Sequence, residues 1–383
     1  MITQQANCQT FMNRTKASFL ALALVFMTSL VVYANDDSAH SEAESFVPGD
    51  VIIHHVLDNH EIHIGNFHVP LPIILYDEAN GGIVGPFSSH HLAEGSNYLG
   101  YVMSHEKIYF VGEGNEIVHD EQGHINAPKP YDFSITKSVV GIFVTVFLLI
   151  IIFSIAAKGY KTREGQAPKG LQSAVEPLIL FVRDEIAKPS IGKKYERFLP
   201  FLLTVFFFIW IANMLGLIPF IGGFNVTGNI AVALVLALLT FFITAANGNK
   251  DYWMHILWTP GVPWWLKVPI PLMFIIEFIG FLSKPIVLML RLFANITAGH
   301  IIILAFVSLI FIFNNLYGAA GGFGVSIVSI IFSIFMFCIE LLVAFLQAYA
   351  FTLLSALYFG SAVEEHANEL YLKRKKNFLN NYN

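Results

Sequence analysis

The chain has 383 residues, of which 55% are hydrophobic and 13% charged, about half the charged share of an ordinary soluble domain. Much of its solvent must therefore be lipid, and a net charge of −5 excludes a nucleic-acid footprint, which needs clustered Lys and Arg to neutralise phosphates. Cys8 and Cys338 lie in contexts too different to pair, leaving no disulfide framework and no cysteine metal site.

Residues 1–34 read as a secretory signal peptide: Arg14 and Lys16 precede the apolar run 17–32, and Val32-Tyr33-Ala34 supplies the cleavage positions. An uncleaved first membrane helix is the alternative, and both readings place residue 35 onward outside. Residues 35–130 are polar, and short alternating pieces at 61–64 and 107–111, broken by Gly, Pro and Asn, predict a small extracytoplasmic domain of short strands. Eleven of the fourteen histidines fall between His40 and His124. Their spacings repeat no ligand pattern, so a solvated face is favoured over a metal site.

Apolar segments near 138–157, 201–220 and 229–246 each match the ~20 residues that span a bilayer, and read as three ordinary transmembrane helices. The stretch 158–200 carries nine Lys or Arg residues, whereas 35–130 carries only Lys107 and Lys129. The positive-inside rule puts that basic stretch in the cytoplasm, with an interfacial amphipathic helix over 171–188. The uncharged connection 221–228 then falls outside. The next, 247–267, has Lys250, Lys267, Trp253, Trp258, Trp264 and Trp265 and falls inside, and the tail 367–383 with Lys373-Arg374-Lys375-Lys376 is cytoplasmic. Two segments are too long to cross upright. Residues 269–313 would reach about 65 Å as a helix, against a hydrocarbon core of ~30 Å, and 325–360 pose the same problem. The first either folds back near Ser283-Lys284-Pro285 or tilts steeply; a hairpin of two long, strongly tilted helices joined by a linker over 314–324 is preferred.

Arg291 sits in mid-segment with apolar flanks, where a charge is costly and marks a bundle interior or an ion path. At about 100° per residue, Glu277, Lys284 and Asn295 fall within about 40° of it, forming one polar stripe. That stripe offers Arg291 no carboxylate within reach on its own helix, so an acidic partner on another chain is expected. His300, half a turn out of phase, should face the second long helix, where Ser326, Ser333, Glu340 and Gln347 recur every seven residues. Glu340 is its expected partner. Such a pair can exchange protons with water near neutral pH, or simply lock the hairpin.

The run Ser283-Lys284-Pro285, Leu290-Arg291-Leu292-Phe293-Ala294-Asn295 and Ala298-Gly299-His300 resembles the signature of subunit a of F-type ATP synthases. Glu340, Gln347 and Tyr349, the terminal Glu364-Glu365-His366, and Asn213-Met214-Leu215-Gly216-Leu217-Ile218-Pro219 fit the same family, so the resemblance covers 138–366. It implies an all-α polytopic membrane protein in the bacterial inner membrane, N-terminus outside and C-terminus inside. It also implies a stator beside a ring of c subunits, held by the b subunits of a peripheral stalk, with no cofactor and no nucleotide site of its own. The essential arginine of the family matches Arg291. His300, Glu340 and Gln347 would serve the outer proton path, and Glu277, Ser283 and Lys284 would border the inner one; Ser333, Tyr349 and Asn213 would line a half-channel, and Asn295 would stand with the arginine. Many bacterial members carry an acid where His300 stands and a histidine where Glu340 stands. The pair is exchanged with both chemical types kept, as two side chains in contact would allow. Gly216 stands where some members carry an aspartate, so the outer path must use other groups. An ion-coupled secondary transporter would also bury Arg, His and Glu, but would show two matching halves with interrupted helices. An intramembrane metal or haem enzyme would need paired ligands on helices, and no His-Glu-x-x-His or cysteine cluster occurs.

Overall fold

The structure is a computed structural model that describes residues 58–64, 67–78, 81–92, 96–104, 107–112, 127–162, 166–218, 223–257 and 272–364. The signal peptide, the basic tail, Glu365, His366, Trp258, Trp264, Trp265 and Lys267 lie outside the described residues. The chain divides into two compact units, one drawn from Met1–Phe143, Met214–Val226 and Thr297–Leu342, the other from Val144–Asn213, Thr227–Ile296 and Val343–Asn383.

In the first unit the polar segment forms short antiparallel strands. β1 (Glu61–Ile64) pairs with β2 (Phe67–Pro70), and a three-stranded sheet has the order β4-β3-β7, with β3 (Pro72–Asp77), β4 (Gly82–Ser88) and β7 (Tyr131–Asp132). β5 (Tyr101–Ser104) pairs with β6 (Lys107–Phe110). Alternation along β3 decides which face is buried: Ile73 and Leu75 point into a core with Leu92, Tyr101 and Ile108, while Tyr76 points out. β7 extends this domain beyond residue 130, because the chain stays in the sheet up to the first long helix, α1 (Lys137–Thr162). The Phe133 amide donates to the Ile74 carbonyl, and the Ile135 amide to that of Pro72. The Asp58 carboxylate then accepts from the Thr136 hydroxyl at 2.8 Å and the Ser138 amide at 2.9 Å. A carboxylate placed there answers amides at a helix start that have no partner within the helix, and it complements the positive end of the helix dipole. Domain and helix are thus joined by a clamp. Nearby, His60 Nε2 lies 3.1 Å from Asp132 Oδ2. Burial alone would raise the pKa of Asp132, but hydrogen bonds from His60 and Ser134 outweigh it and hold the carboxyl below its ordinary range.

The second unit holds the larger apolar core. α2 (Leu171–Phe181) runs into a π-helical stretch, Val182–Ala187, then α3 (Lys188–Ile191), a 3-10 turn at Gly192–Lys194, and α4 (Tyr195–Gly216). The amphipathic helix expected over 171–188 is present, but its inner face is core: Val182, Ile186 and Ala187 are fully buried. On its other side Asp184 binds Arg183 at 2.8 Å and Lys188 at 2.6 Å. α5 (Ile230–Ala246) is capped by the Asn229 side chain, which accepts from the Ala231 amide. Its buried stripe of Ala233, Ala237, Thr240 and Thr244 is small enough for close helix contact, and Thr240 Oγ1 comes within 3.5 Å of Ser355 Oγ. α6 (Lys250–Leu257) leaves α5 at 106° and starts beside the C-terminal end of the last helix, where Asn249 donates to the carbonyls of Ala362 and Val363.

The last element, α7 (Leu272–Val363), is helical except at Gly318, whose φ of 69° and ψ of −172° turn the chain back. Glycine suits that position because a Cβ is disfavoured at positive φ. The two arms, 272–317 and 319–363, are each about 65–70 Å long at ~1.5 Å per residue. Here one open alternative is decided and one expectation is corrected. The first arm does not fold back at Ser283-Lys284-Pro285; the helix runs on through Pro285. The linker expected over 314–324 is helical apart from the single glycine. Among the described residues, the helices long and apolar enough to cross a membrane are Lys137–Thr162, Leu171–Gly216 and Met273–Val363; α5 and α6 qualify only as a bent pair.

Candidate functional site

The polar groups of α7 fall in both units. In the first, His300 Nδ1 lies 2.6 Å from Glu340 Oε1, as the helical phases of the two arms require. The Glu340 side chain is 3% exposed and that of His300 20%. The contact is close but not aligned as a hydrogen bond, and among the described residues neither carboxylate oxygen has an aligned donor. Gly299 makes room for this geometry: a Cβ there would lie 2.8 Å from Glu340 Oε1. Seven and eleven residues before Glu340, the hydroxyls of Ser333 and Ser329 are buried on the same helical face, likewise without an aligned partner among the described residues. The Phe306 and Phe332 rings stack at 5.4 Å and continue the antiparallel packing of the arms.

In the second unit Gln347 ties the arms together. Its Nε2 donates to the Arg291 carbonyl at 2.6 Å and its Oε1 accepts from Asn295 Nδ2 at 2.9 Å. The Arg291 side chain is exposed on the isolated chain, on a face that also shows Val287, Ala294 and Ala298. Among the described residues its guanidinium forms no ion pair with a carboxylate. Two alanines beside a single charge let another helix come close while meeting that charge. Asn213 is buried; it donates to the Ala344 carbonyl at 3.3 Å and accepts from the Thr227 hydroxyl. Tyr349 packs against the Phe181 ring at 5.7 Å.

Glu277 and Lys284 meet in a cavity of about 400 Å³ that is also lined by Asp251, Tyr252, His255 and Glu364. Glu277 Oε1 is 4.0 Å from His255 Nδ1, and Lys284 Nζ lies 3.4 Å from the Tyr252 hydroxyl and over the rings of Tyr252 and Tyr358. Ser283 donates to the Gly280 carbonyl on its own helix. The sequence alone does not single out Asp251 and His255 here, and places Glu364 only in the terminal run that fits the family. The first two stand four residues apart on α6, a spacing that puts them on one face, but nothing local says that this face meets α7.

A mostly helical protein with long apolar helices that buries a carboxylate against an imidazole, and shows one arginine on an apolar face, belongs to the class of membrane proteins that move ions. Residues 139–360 match the family model described as ATP synthase A chain, and residues 51–133 match one described as a domain of unknown function (DUF8433). A protein of Chloroherpeton thalassium named ATP synthase subunit a is 40% identical over 277 residues, covering 69% of this chain and 79% of that protein. One of the same name from Chlorobium phaeobacteroides (strain DSM 266) is 42% identical over 68% of this chain and 76% of its own. Another, from Anaeromyxobacter sp., is 33% identical over 88% and 75%. The chain belongs to the ATP synthase A chain family, the multi-pass, non-catalytic membrane subunit that translocates protons in the F-type ATP synthase.

Proposed function

We propose that Arg291 is the gate of proton translocation in this chain, and that it meets the membrane carboxylate of each passing c subunit. The observation that carries the reading is the outward presentation of Arg291 beside Ala294 and Ala298, with its backbone held by Gln347. A fixed positive charge attracts each deprotonated carboxylate and bars a proton from crossing directly between the two paths, so that translocation requires rotation. Membrane potential contributes ~2.3 kcal/mol per charge per 100 mV to bias that rotation.

Glu340 and His300 load the ring from the outer half-channel, with Gln347 and Ser333 continuing the polar line, while Asn213 and Tyr349 hold its walls. Glu277, Ser283 and Lys284 border the inner half-channel, and the cavity that Glu277 and Lys284 share with Asp251, His255 and Glu364 is its mouth. Asn295 acts through Gln347 to fix the backbone of Arg291. The basic stretch 158–200 orients the chain with its N-terminus outside and C-terminus inside the bacterial inner membrane. Arms more than twice the hydrocarbon thickness must tilt strongly, which fits them to a cylindrical ring, and the b subunits of the peripheral stalk hold the chain against rotation.

The test is Arg291→Ala in the reconstituted membrane sector. Gradient-driven ATP synthesis should be lost and passive proton conductance should rise. Unchanged synthesis overturns the assignment.

A further inference from the structure

The extracytoplasmic sheet has an apolar outer face where an antiparallel sheet with one solvated side should be polar. Pairing sets Tyr131 of β7 opposite Tyr76 of β3, and Tyr76 opposite Ile83 of β4. These three form a row straight across the sheet on the side away from Ile73 and Leu75. Ile83 is 76% exposed, Tyr131 67% and Tyr76 37%. One step along, Phe133, also 67% exposed, continues the ladder opposite Ile74. The Tyr76 and Tyr131 rings lie 6.4 Å apart, so these two sit side by side within an apolar strip.

What covers the strip follows from where the chain goes next. Phe133 stands four residues before Lys137, the first residue of α1, so it lies within about 13 Å of the helix start even if the chain is fully extended. That connection is held by the amides of Phe133, Ile135 and Lys137 on the sheet side and by Asp58 on Thr136 and Ser138. The sheet is therefore tied to the start of α1. On α1 itself Phe143 is also exposed, and an exposed aromatic face this close to the start of an apolar helix suits the boundary between headgroups and acyl chains, which aromatic rings favour.

We propose that this face, Tyr76, Ile83, Tyr131 and Phe133, docks on the outer surface of the bilayer in which α1 stands, anchoring the extracytoplasmic domain against lipid. Only Lys107 and Lys129 are basic in residues 35–130, so the contact is apolar and does not draw on anionic headgroups.

The experiment uses the whole synthase in phosphatidylcholine vesicles, with Cys8→Ser and Cys338→Ser as background and a fluorophore on Ile83→Cys, Tyr131→Cys or, as control, His90→Cys. Fluorescence at 83 and 131 should be quenched several-fold more by lipid doxyl-labelled near the headgroup than at 90, and several-fold less by aqueous acrylamide. Equal acrylamide access at all three positions overturns the proposal. Shielding from both quenchers also overturns it, since a protein would then cover the face. Should the cysteine variants disturb the sheet, hydroxyl-radical oxidation of Tyr131 and Phe133 in the unsubstituted complex decides: it should fall well below that of the exposed His90, and equal oxidation refutes the docking.

Discussion

Of the histidine–carboxylate pairs among the described residues, the two closest differ in how the carboxylate is satisfied. His60 and Asp132 meet at 3.1 Å in the strand domain, where the Asp132 side chain is 35% exposed and also accepts from the Ser134 amide at 2.8 Å. His300 and Glu340 meet at 2.6 Å between long helices, with the carboxylate buried and no aligned donor for it among the described residues. A carboxylate whose lone pairs are satisfied is a staple: its charge is stabilised and its proton stays off. A buried one in close contact with an imidazole but without aligned donors is costly to hold as an ion. The same two residue types thus give a fastener in one place and, on the proposed function, an exchange site in the other.

The sharpest way to break this contrast is Glu340→Gln, which keeps the shape and removes the titrating group. Gradient-driven ATP synthesis should fall by about 100-fold or more if the group transfers protons, since positioned acid–base groups are worth that much. A loss of only a few-fold would make the pair a lock like that of His60 and Asp132. The exchanged double variant, His300→Glu with Glu340→His, should recover synthesis well beyond the product of the two single losses. Simple additivity would argue against contact.

Gly299→Ala acts on the same pair without touching its chemistry. The new methyl would press on Glu340 Oε1 and must displace the carboxylate, at a cost of ~1–3 kcal/mol for overpacking. We expect proton-driven synthesis to drop about ten-fold or less while the complex still assembles, and Gly299→Ser to do no better. Normal rates in Gly299→Ala would show that the close fit is irrelevant to transfer.

Much of this site is legible in the amino-acid order alone. The phase of Glu277, Lys284, Arg291 and Asn295 survives Pro285 because the helix does, and the seven-residue line of Ser326, Ser333, Glu340 and Gln347 ends on the arm facing His300 because both arms keep one helical period. What depends on contact between distant segments is not legible there. Asp58 closing the start of α1 from 80 residues upstream is one case, and α6 bringing Asp251 and His255 to Glu277 is another. The stretch 314–324 misleads for a local reason. Its asparagines and glycines carry the composition of a loop, yet one glycine at positive φ suffices to reverse the chain and the rest continue the helix.

The smallest effect lies in the staple. Hydrogen bonds hold the pKa of Asp132 below its ordinary value despite burial, so the group contributes stability that is fully present above the unfolded pKa, about 3.9 for an aspartate. That contribution is lost as pH falls through the lowered folded value. Amide exchange at Phe133 and Ile135, the ladder beside Asp132, should therefore keep constant protection, corrected for intrinsic rates, from pH 7 to about 5, and lose protection below about pH 4. Asp132→Asn should flatten that profile while leaving proton-driven synthesis intact at neutral pH. An unchanged profile would place the acid sensitivity elsewhere in the domain. A fall in synthesis would mean that the strand domain takes part in translocation, and the division between fastener and exchange site would then fail.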